Sequence, residues 1–264
     1  MHYFLIILLL FTFSSSLAYN TTLTSLSIKS RNFGNMGASE GDSFDPKKSL
    51  SGRKITPRDL MMILPRLSGY SDVNLDDNAL GPQGAGMLAP YTDHFEHLSV
   101  ARNGIDGEGA VALIQSFFTN TTTKTLNLSG NPLGMQAAQL LGKILENNDT
   151  LETLHLNDCH LGDLGVEALA RGLAVNQSLR TLSLDRNGIT DKGLGALVHA
   201  LSHNSRLESL TLDDNNITPT AARQLRRVLS VMHDGRRGAP PWEGSLPPIV
   251  PEAQGAWGKA LARF

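Results

Sequence analysis

The stretch TLSLDRNGITDKGLGAL, Thr181 to Leu197, decides how the rest of the chain is read. In its first five residues leucine alternates with polar residues, so a strand here puts Leu182 and Leu184 on one face and Ser183 and Asp185 on the other. Asn187-Gly188 marks a turn, and the residues from Thr190 to Leu197 have helical spacing. Leu182 has counterparts at Leu98, Leu126, Leu154 and Leu210, each 28 residues from the next. A strand, a turn and a helix repeated at fixed spacing describe a stack in which each unit buries its neighbour's apolar face.

The apolar residue before each helix can be followed along the chain as Ile55, Leu80, Ile105, Leu133, Leu161, Ile189 and Ile217, with two intervals of 25 residues and then intervals of 28. The shorter early units predict shorter helices or tighter loops, and a first unit that departs from the pattern is expected of a cap. Four residues after each anchor stands a small residue, among them Gly84, Gly109, Ala137, Gly165 and Gly193, which predicts close contact between adjacent helices. Eight residues after it a leucine faces the core: Leu88, Leu113, Leu141, Leu169, Leu197 and Leu225. Phe117, Leu145, Leu173, Leu201 and Leu229 follow on the same helical face. Asn187 recurs as Asn78, Asn103, Asn131 and Asn215, where its amide can bond the backbone of neighbouring turns in a ladder. Thr56-Pro57 reads as an N-cap followed by the first helical residue, and Pro65 is expected to end or kink that helix.

The form LxxLxLxxN/CxL with a following G-x-x-x-L helix, as in Leu151 to Leu161 and Leu179 to Ile189, resembles leucine-rich repeats of the ribonuclease-inhibitor-like subfamily. Ribonuclease inhibitor, NOD-like receptors and Ran GTPase-activating protein are members of that subfamily. The resemblance spans about Val73 to Leu229. It implies an α/β fold, a curved solenoid with parallel strands on the concave face and helices on the convex face. It also implies protein binding through the concave face and flanking loops. Cys159 falls where cysteine replaces the ladder asparagine in this subfamily, which implies burial. No P-loop pattern is present, and the chain is neither cysteine-rich nor as long as ribonuclease inhibitor. GTPase-activating relatives use an arginine in a loop after a strand; Arg102 and Arg186 stand just before the ladder asparagine.

The flanks carry separate expectations. Residues 1–18 read as a signal peptide: Tyr3 to Phe13 is apolar and too short to span a bilayer, and Ser16-Leu17-Ala18 fits a cleavage site. Secretion or the endomembrane lumen is the leading localisation, with an uncleaved anchor or the cytoplasm as alternatives. Residues 19–54 form a partly disordered flank that holds a degraded strand at Leu23 to Asn32. Residues 55–232 are the repeat domain, about six repeats plus a degraded first unit. Residues 233–264 form a Pro/Gly-rich tail that caps the solenoid through Trp242, Ile249, Val250 and Trp257 or carries a partner motif. Of six N-x-Ser/Thr sequons, Asn120, Asn148 and Asn176 lie 28 residues apart just after each helix, a series that Asn204 continues without a sequon. An asparagine there tolerates the left-handed conformation that ends helices, so these sequons are by-products of the repeat. Asn127 lies on a strand, Asn216 is in the last unit, and Asn20, outside the repeats, is the glycosylation candidate.

The formal net charge of −2 over 264 residues argues against a nucleic-acid partner. The basic clusters Lys47, Lys48, Arg53, Lys54 and Arg226, Arg227, Arg236, Arg237 read as solvated ends. No cofactor, metal or small-molecule substrate is expected. Cys159 with His155, Asp158 and His160 reads as structural, and so does the pair His199 and His203, which lacks a third ligand. The strand positions facing away from the core remain: Asn74, Asp76, Ser99, Ala101, Asn127, Ser129, His155, Asn157, Ser183, Asp185, Thr211 and Asp213, with the turn column Asp77, Arg102, Gly130, Asp158, Arg186 and Asp214. Of these, Asn74, Asp76, Arg102, His155, Asp158, Ser183, Asp185, Arg186, Thr211 and Asp213 are the candidate partner-binding residues. The face is polar, acidic and free of aromatic anchors. It fits a monomeric, non-catalytic scaffold for a protein partner with a basic patch. A small-GTPase regulator using Arg102 or Arg186, and a structural receptor fragment without a retained partner, are the alternatives.

Overall fold

The computed structural model describes residues 50–223 and residue 225. In chain order the elements are α1 (Pro57–Leu67), β1 (Asp72–Asn74), α2 (Gly81–Leu88), β2 (His97–Ser99), α3 (Gly107–Gln115), β3 (Thr125–Asn127) and α4 (Gly134–Leu145). They continue with β4 (Thr153–His155), α5 (Gly162–Val175), β5 (Thr181–Ser183), α6 (Asp191–His203) and β6 (Ser209–Thr211). The six strands form one open parallel sheet in chain order, β1 to β6. The register aligns Val73, Leu98, Leu126, Leu154, Leu182 and Leu210 side by side. All six are buried, as are the helix residues Leu88, Leu113, Leu141, Leu169 and Leu197. The architecture is thus an α/β leucine-rich repeat solenoid. The leader at residues 1–18, Asn20, Leu23 to Asn32, the basic clusters at Lys47-Lys48 and Arg226 to Arg237, Leu229 and the tail at 233–264 lie outside the described residues. Among the described residues no helix is long and apolar enough to cross a membrane.

Helix starts follow two local rules. Thr56, Asp106 and Thr190 cap α1, α3 and α6 with a side-chain oxygen, in extended backbone. The helices α4 and α5 lack a side-chain cap and begin at Gly134 and Gly162, whose positive φ values of 67° and 59° turn the chain sharply into the helix. Their N–H groups donate to Cys159 O and Asn187 O of the next unit. α2, in a 25-residue unit, has 8 residues, against 12, 14 and 13 in α4, α5 and α6. Adjacent helices approach closely at the small residues: a Cβ on Gly109 would lie 2.2 Å from Pro82 Cα, and one on Gly165 3.1 Å from Ala138 Cβ. Gly142 and Gly172 make a second, tighter approach between α4 and α5, since a Cβ on Gly172 would lie 2.0 Å from Gly142 O.

The turn asparagines form the expected ladder. Asn131 Nδ2 donates to Val100 O and Leu128 O at 2.9 Å, while its Oδ1 accepts from Asn103 N and Ile105 N at 3.0 Å. Asn187 repeats the arrangement, and Cys159 occupies its own rung with the thiol donating weakly to Leu128 O at 3.4 Å.

Three expectations need correction. Asn120, Asn148, Asn176 and Asn204 do not end helices in left-handed backbone: Asn176 and Asn204 are extended, at φ −65° and −92°. All four are buried and build a second ladder along the opposite edge of the core. Asn148, Asn176 and Asn204 each donate through Nδ2 to two carbonyls of the preceding unit, as Asn176 does to Leu145 O at 2.8 Å and Asn148 O at 3.0 Å. Each Oδ1 accepts two N–H groups of the following loop, for Asn176 those of Ser178 at 3.0 Å and Leu179 at 2.7 Å. A helix end that must enter a buried loop needs its polar groups paired, and one amide can serve four of them. Second, Pro65 does not end α1, which runs to Leu67; the carbonyl that loses its donor belongs to Met61, which is 61% exposed and meets water. Third, Ala101 does not face solvent; it is fully buried. At the start of the described residues, Leu50 N and Gly52 N donate to Asn74 O and Asp76 O beside β1.

Candidate partner-binding face

On the face of the sheet opposite the leucines, three columns of side chains run across the units. The first is the last residue of each strand: Asn74, Ser99, Asn127, His155, Ser183 and Thr211. Asn127 Nδ2 donates to Ser99 Oγ at 2.9 Å, and His155 Nδ1 lies 2.8 Å from Ser183 Oγ. Ser183, expected on the open face, is only 6% exposed, with its hydroxyl held against the His155 ring. Burial pushes the His155 imidazole below the usual histidine value, although the Asp185 charge acts the other way.

The second column is Asp76, Ala101, Ser129, Asn157, Asp185 and Asp213, and here the side chains have a structural task that the sequence reading did not assign. Asp76 Oδ1 accepts from Ala101 N at 2.7 Å, Ser129 Oγ from Asn157 N at 3.2 Å, Asn157 Oδ1 from Asp185 N at 2.8 Å, and Asp185 Oδ1 from Asp213 N at 2.8 Å. Asp76 and Asp185 therefore stitch neighbouring units together and are not free for a partner alone.

The third column is the turn beyond each strand, in left-handed backbone throughout: Asp77, Arg102, Gly130, Asp158, Arg186 and Asp214 have φ between 52° and 70°. Arg102 grips Asp77 in a bidentate pair at 2.5 and 2.7 Å, and Arg186 reaches Asp214 at 3.1 Å. The Arg102 hydrogen bond is the main reason the Asp77 carboxyl sits below, and the guanidinium above, its ordinary pKa. Both arginines are thus held in exposed ion pairs along the turn column.

A fourth row was missed in the sequence. Just before the strands stand Glu96, Lys124, Glu152, Arg180 and Glu208, alternating in sign. Lys124 pairs with Glu96 at 3.1 Å, and Arg180 pairs with Glu208. Both cations turn away from Glu152, which has no ion pair among the described residues. On the opposite rim Asp158 reaches, among the described residues, only the His160 ring, at 4.0 Å, because Gly130 precedes it and Arg186 pairs on the far side. The two carboxylates thus flank strand β4 from either rim, with His155 and Asn157 between them, while Arg102, Lys124, Arg180 and Arg186 are each neutralised in a pair.

Cys159 lies beneath this region, fully buried, and burial pushes its thiol up to about 12. His199 and His203 stack with ring centres 4.8 Å apart on α6, and His203 Nδ1 lies 3.0 Å from His199 O.

Residues 94–113, 147–170 and 175–198 match the family model described as Leucine Rich repeat. A stretch of 60 residues, 23% of this chain, is 35% identical to Leucine-rich repeat-containing protein 45 of Gallus gallus, of whose length it spans 9%. Among solved structures, one titled Leiomodin-1 Actin-Binding Site 2 is similar at a TM-score of 0.49 and 20% identity, over 59% of this chain and 91% of that one. The yeast Rad7 and Elc1 complex is similar at a TM-score of 0.31 and 14% identity, over 65% of this chain and 64% of that one.

Proposed function

We propose that the chain is a non-catalytic scaffold, built of repeats of the ribonuclease-inhibitor-like kind, that binds a basic segment of a protein partner across the sheet face at strand β4. One observation carries this reading: among the described residues, Arg102, Lys124, Arg180 and Arg186 are each paired, whereas Glu152 and Asp158, on opposite rims of one unit, have no arginine or lysine partner. An arginine or lysine at each end of an extended segment would supply both, and the half-buried His155 and Asn157 lie between. Candidate residues toward the sheet ends, Asn74 and Thr211 among them, become supporting surface. Steering by unpaired carboxylates suits a partner recognised mainly by charge. The absence of chemistry is supported by the same geometry, since the Cys159 thiol is buried and the Ser183 hydroxyl is covered by His155.

The test is fluorescence anisotropy with an arginine-rich peptide at low salt. Glu152→Lys and Asp158→Arg place at each position a residue type found elsewhere in the same column, Lys124 and Arg186, and circular dichroism checks that the variant keeps the fold. The double variant is expected to weaken binding at least about tenfold, with wild-type affinity falling as salt rises. Unchanged affinity removes the sheet face from consideration.

A further inference from the structure

The second asparagine ladder has a consequence for covalent modification. Three of its members open N-x-Ser/Thr triplets, Asn120-Thr121-Thr122, Asn148-Asp149-Thr150 and Asn176-Gln177-Ser178, the acceptor pattern for N-linked glycans. In transfer, Nδ2 bonds to the anomeric carbon of an oligosaccharide held on a lipid pyrophosphate. The carbon–oxygen bond to the pyrophosphate breaks, the lipid pyrophosphate leaves with the electron pair, and Nδ2 loses one proton. Asn148 and Asn176 each use both Nδ2 protons on buried carbonyls, at 3.1 and 3.0 Å and at 2.8 and 3.0 Å. A sugar there removes one donor and has no route to solvent, since the residues are 8% and 2% exposed. Asn120, at the start of the ladder, is 2% exposed, and its Nδ2 is enclosed without a partner among the described residues. An enclosed amide has even less room for a pyranose.

Asn216-Ile217-Thr218 differs in every respect. Asn216 is exposed, its N–H donates to Ile189 O at 2.8 Å in a bridge with Thr190, and its side-chain amide makes no hydrogen bond to a described residue. Modifying it leaves both ladders intact. Asn127 is half-buried and commits one Nδ2 proton to Ser99 Oγ, so the ladder argument does not extend to it.

We propose that Asn216 is an N-glycan acceptor whenever this chain enters a compartment holding the transferase, and that the folded repeats bar Asn120, Asn148 and Asn176 from carrying a glycan. The experiment places the full chain behind a cleavable leader in a eukaryotic secretory line and separates soluble folded protein from retained aggregate. Glycans are removed enzymatically in heavy-oxygen water, and each site is read by peptide mass spectrometry. The expected result is a marked Asn216 in the folded fraction, with Asn120, Asn148 and Asn176 marked only in the aggregate. A mark on any of those three in the folded fraction, or an unmarked Asn216 there, overturns the proposal. If nothing folds, the variant Thr122→Val, Thr150→Val, Ser178→Ala removes the three triplets and keeps each asparagine. Recovery of folded protein marked at Asn216 supports the proposal. Continued aggregation of a variant that folds in bacterial cytosol overturns it.

Discussion

Truncating Asn176 to alanine removes the amide at the centre of the second ladder. The N–H of Leu179, whose residue is fully buried, loses its acceptor at 2.7 Å, and Leu145 O loses its donor at 2.8 Å. The N–H of half-buried Ser178 also loses its acceptor, whereas Asn148 O keeps a bond from Ser178 Oγ at 3.1 Å. Two orphaned buried groups at about 1–3 kcal/mol each, plus a partly solvated third, give a cost of roughly 3–5 kcal/mol. That is a large part of an ordinary domain's stability of about 5–15 kcal/mol. Urea unfolding followed by circular dichroism measures it, with midpoint and slope both fitted because a stack can lose cooperativity between units. Asn176→Asp sharpens the test. It keeps the acceptor but points a second oxygen at Leu145 O and Asn148 O, so at neutral pH it is expected to cost at least as much as alanine and to recover partly in acid. A loss below about 1 kcal/mol for Asn176→Ala refutes the ladder as a stabilising element.

Three further outcomes follow from the packing and protonation of the repeats. Gly172→Ala forces a methyl group against Gly142 O and is expected to lower stability by about 1–3 kcal/mol despite alanine's better helix propensity, read as a shift in the same urea midpoint. Asp163 crosses from α5 to cap α6, accepting from Thr190 N, Thr190 Oγ1 and Gly193 N. Burial raises its pKa, but these bonds and the Lys192 charge outweigh that and leave it below the ordinary value. The unfolded chain therefore takes up the proton first, so the stabilisation is present above about pH 4 and lost as pH falls through the folded value. Asp163→Ala is expected to cost about 1 kcal/mol at neutral pH and progressively less in acid titration of the melting temperature. Cys159, with its thiol pushed up to about 12, is expected to resist iodoacetamide at pH 8 in the folded chain and to react on unfolding, as mass spectrometry would show.

The sequence carried the fold because the repeat samples each position several times. Leu182, Asn187 and Gly193 each have counterparts at fixed spacing, so a scaffold role was separable from chance. Asn120, Asn148, Asn176 and Asn204 keep the same spacing while their neighbours Thr121, Asp149, Gln177 and Ser205 vary, which is the mark of a buried position. Position after a helix equally suits left-handed backbone, and the extended backbone of Asn176 and Asn204 decides between the two. The candidate face was legible as a set of columns but not in its energetics. Nothing in the alternation Glu96, Lys124, Glu152, Arg180, Glu208 says which neighbour each cation chooses. Those choices, made by side chains across strands, leave Glu152 unpaired. The burial of Ser183 likewise depends on the bulk of His155 one strand away.

Binding at the carboxylates of Glu152 and Asp158, which have no arginine or lysine partner among the described residues, is tested most directly by amide chemical-shift mapping. The isotope-labelled full chain is titrated with the arginine-rich peptide at low salt. The expected shifts cluster at Glu152, His155, Asn157, Asp158 and Asp185 and vanish in the Glu152→Lys, Asp158→Arg variant. Shifts centred on the helices, or on the sheet face equally with and without those two carboxylates, would contradict it.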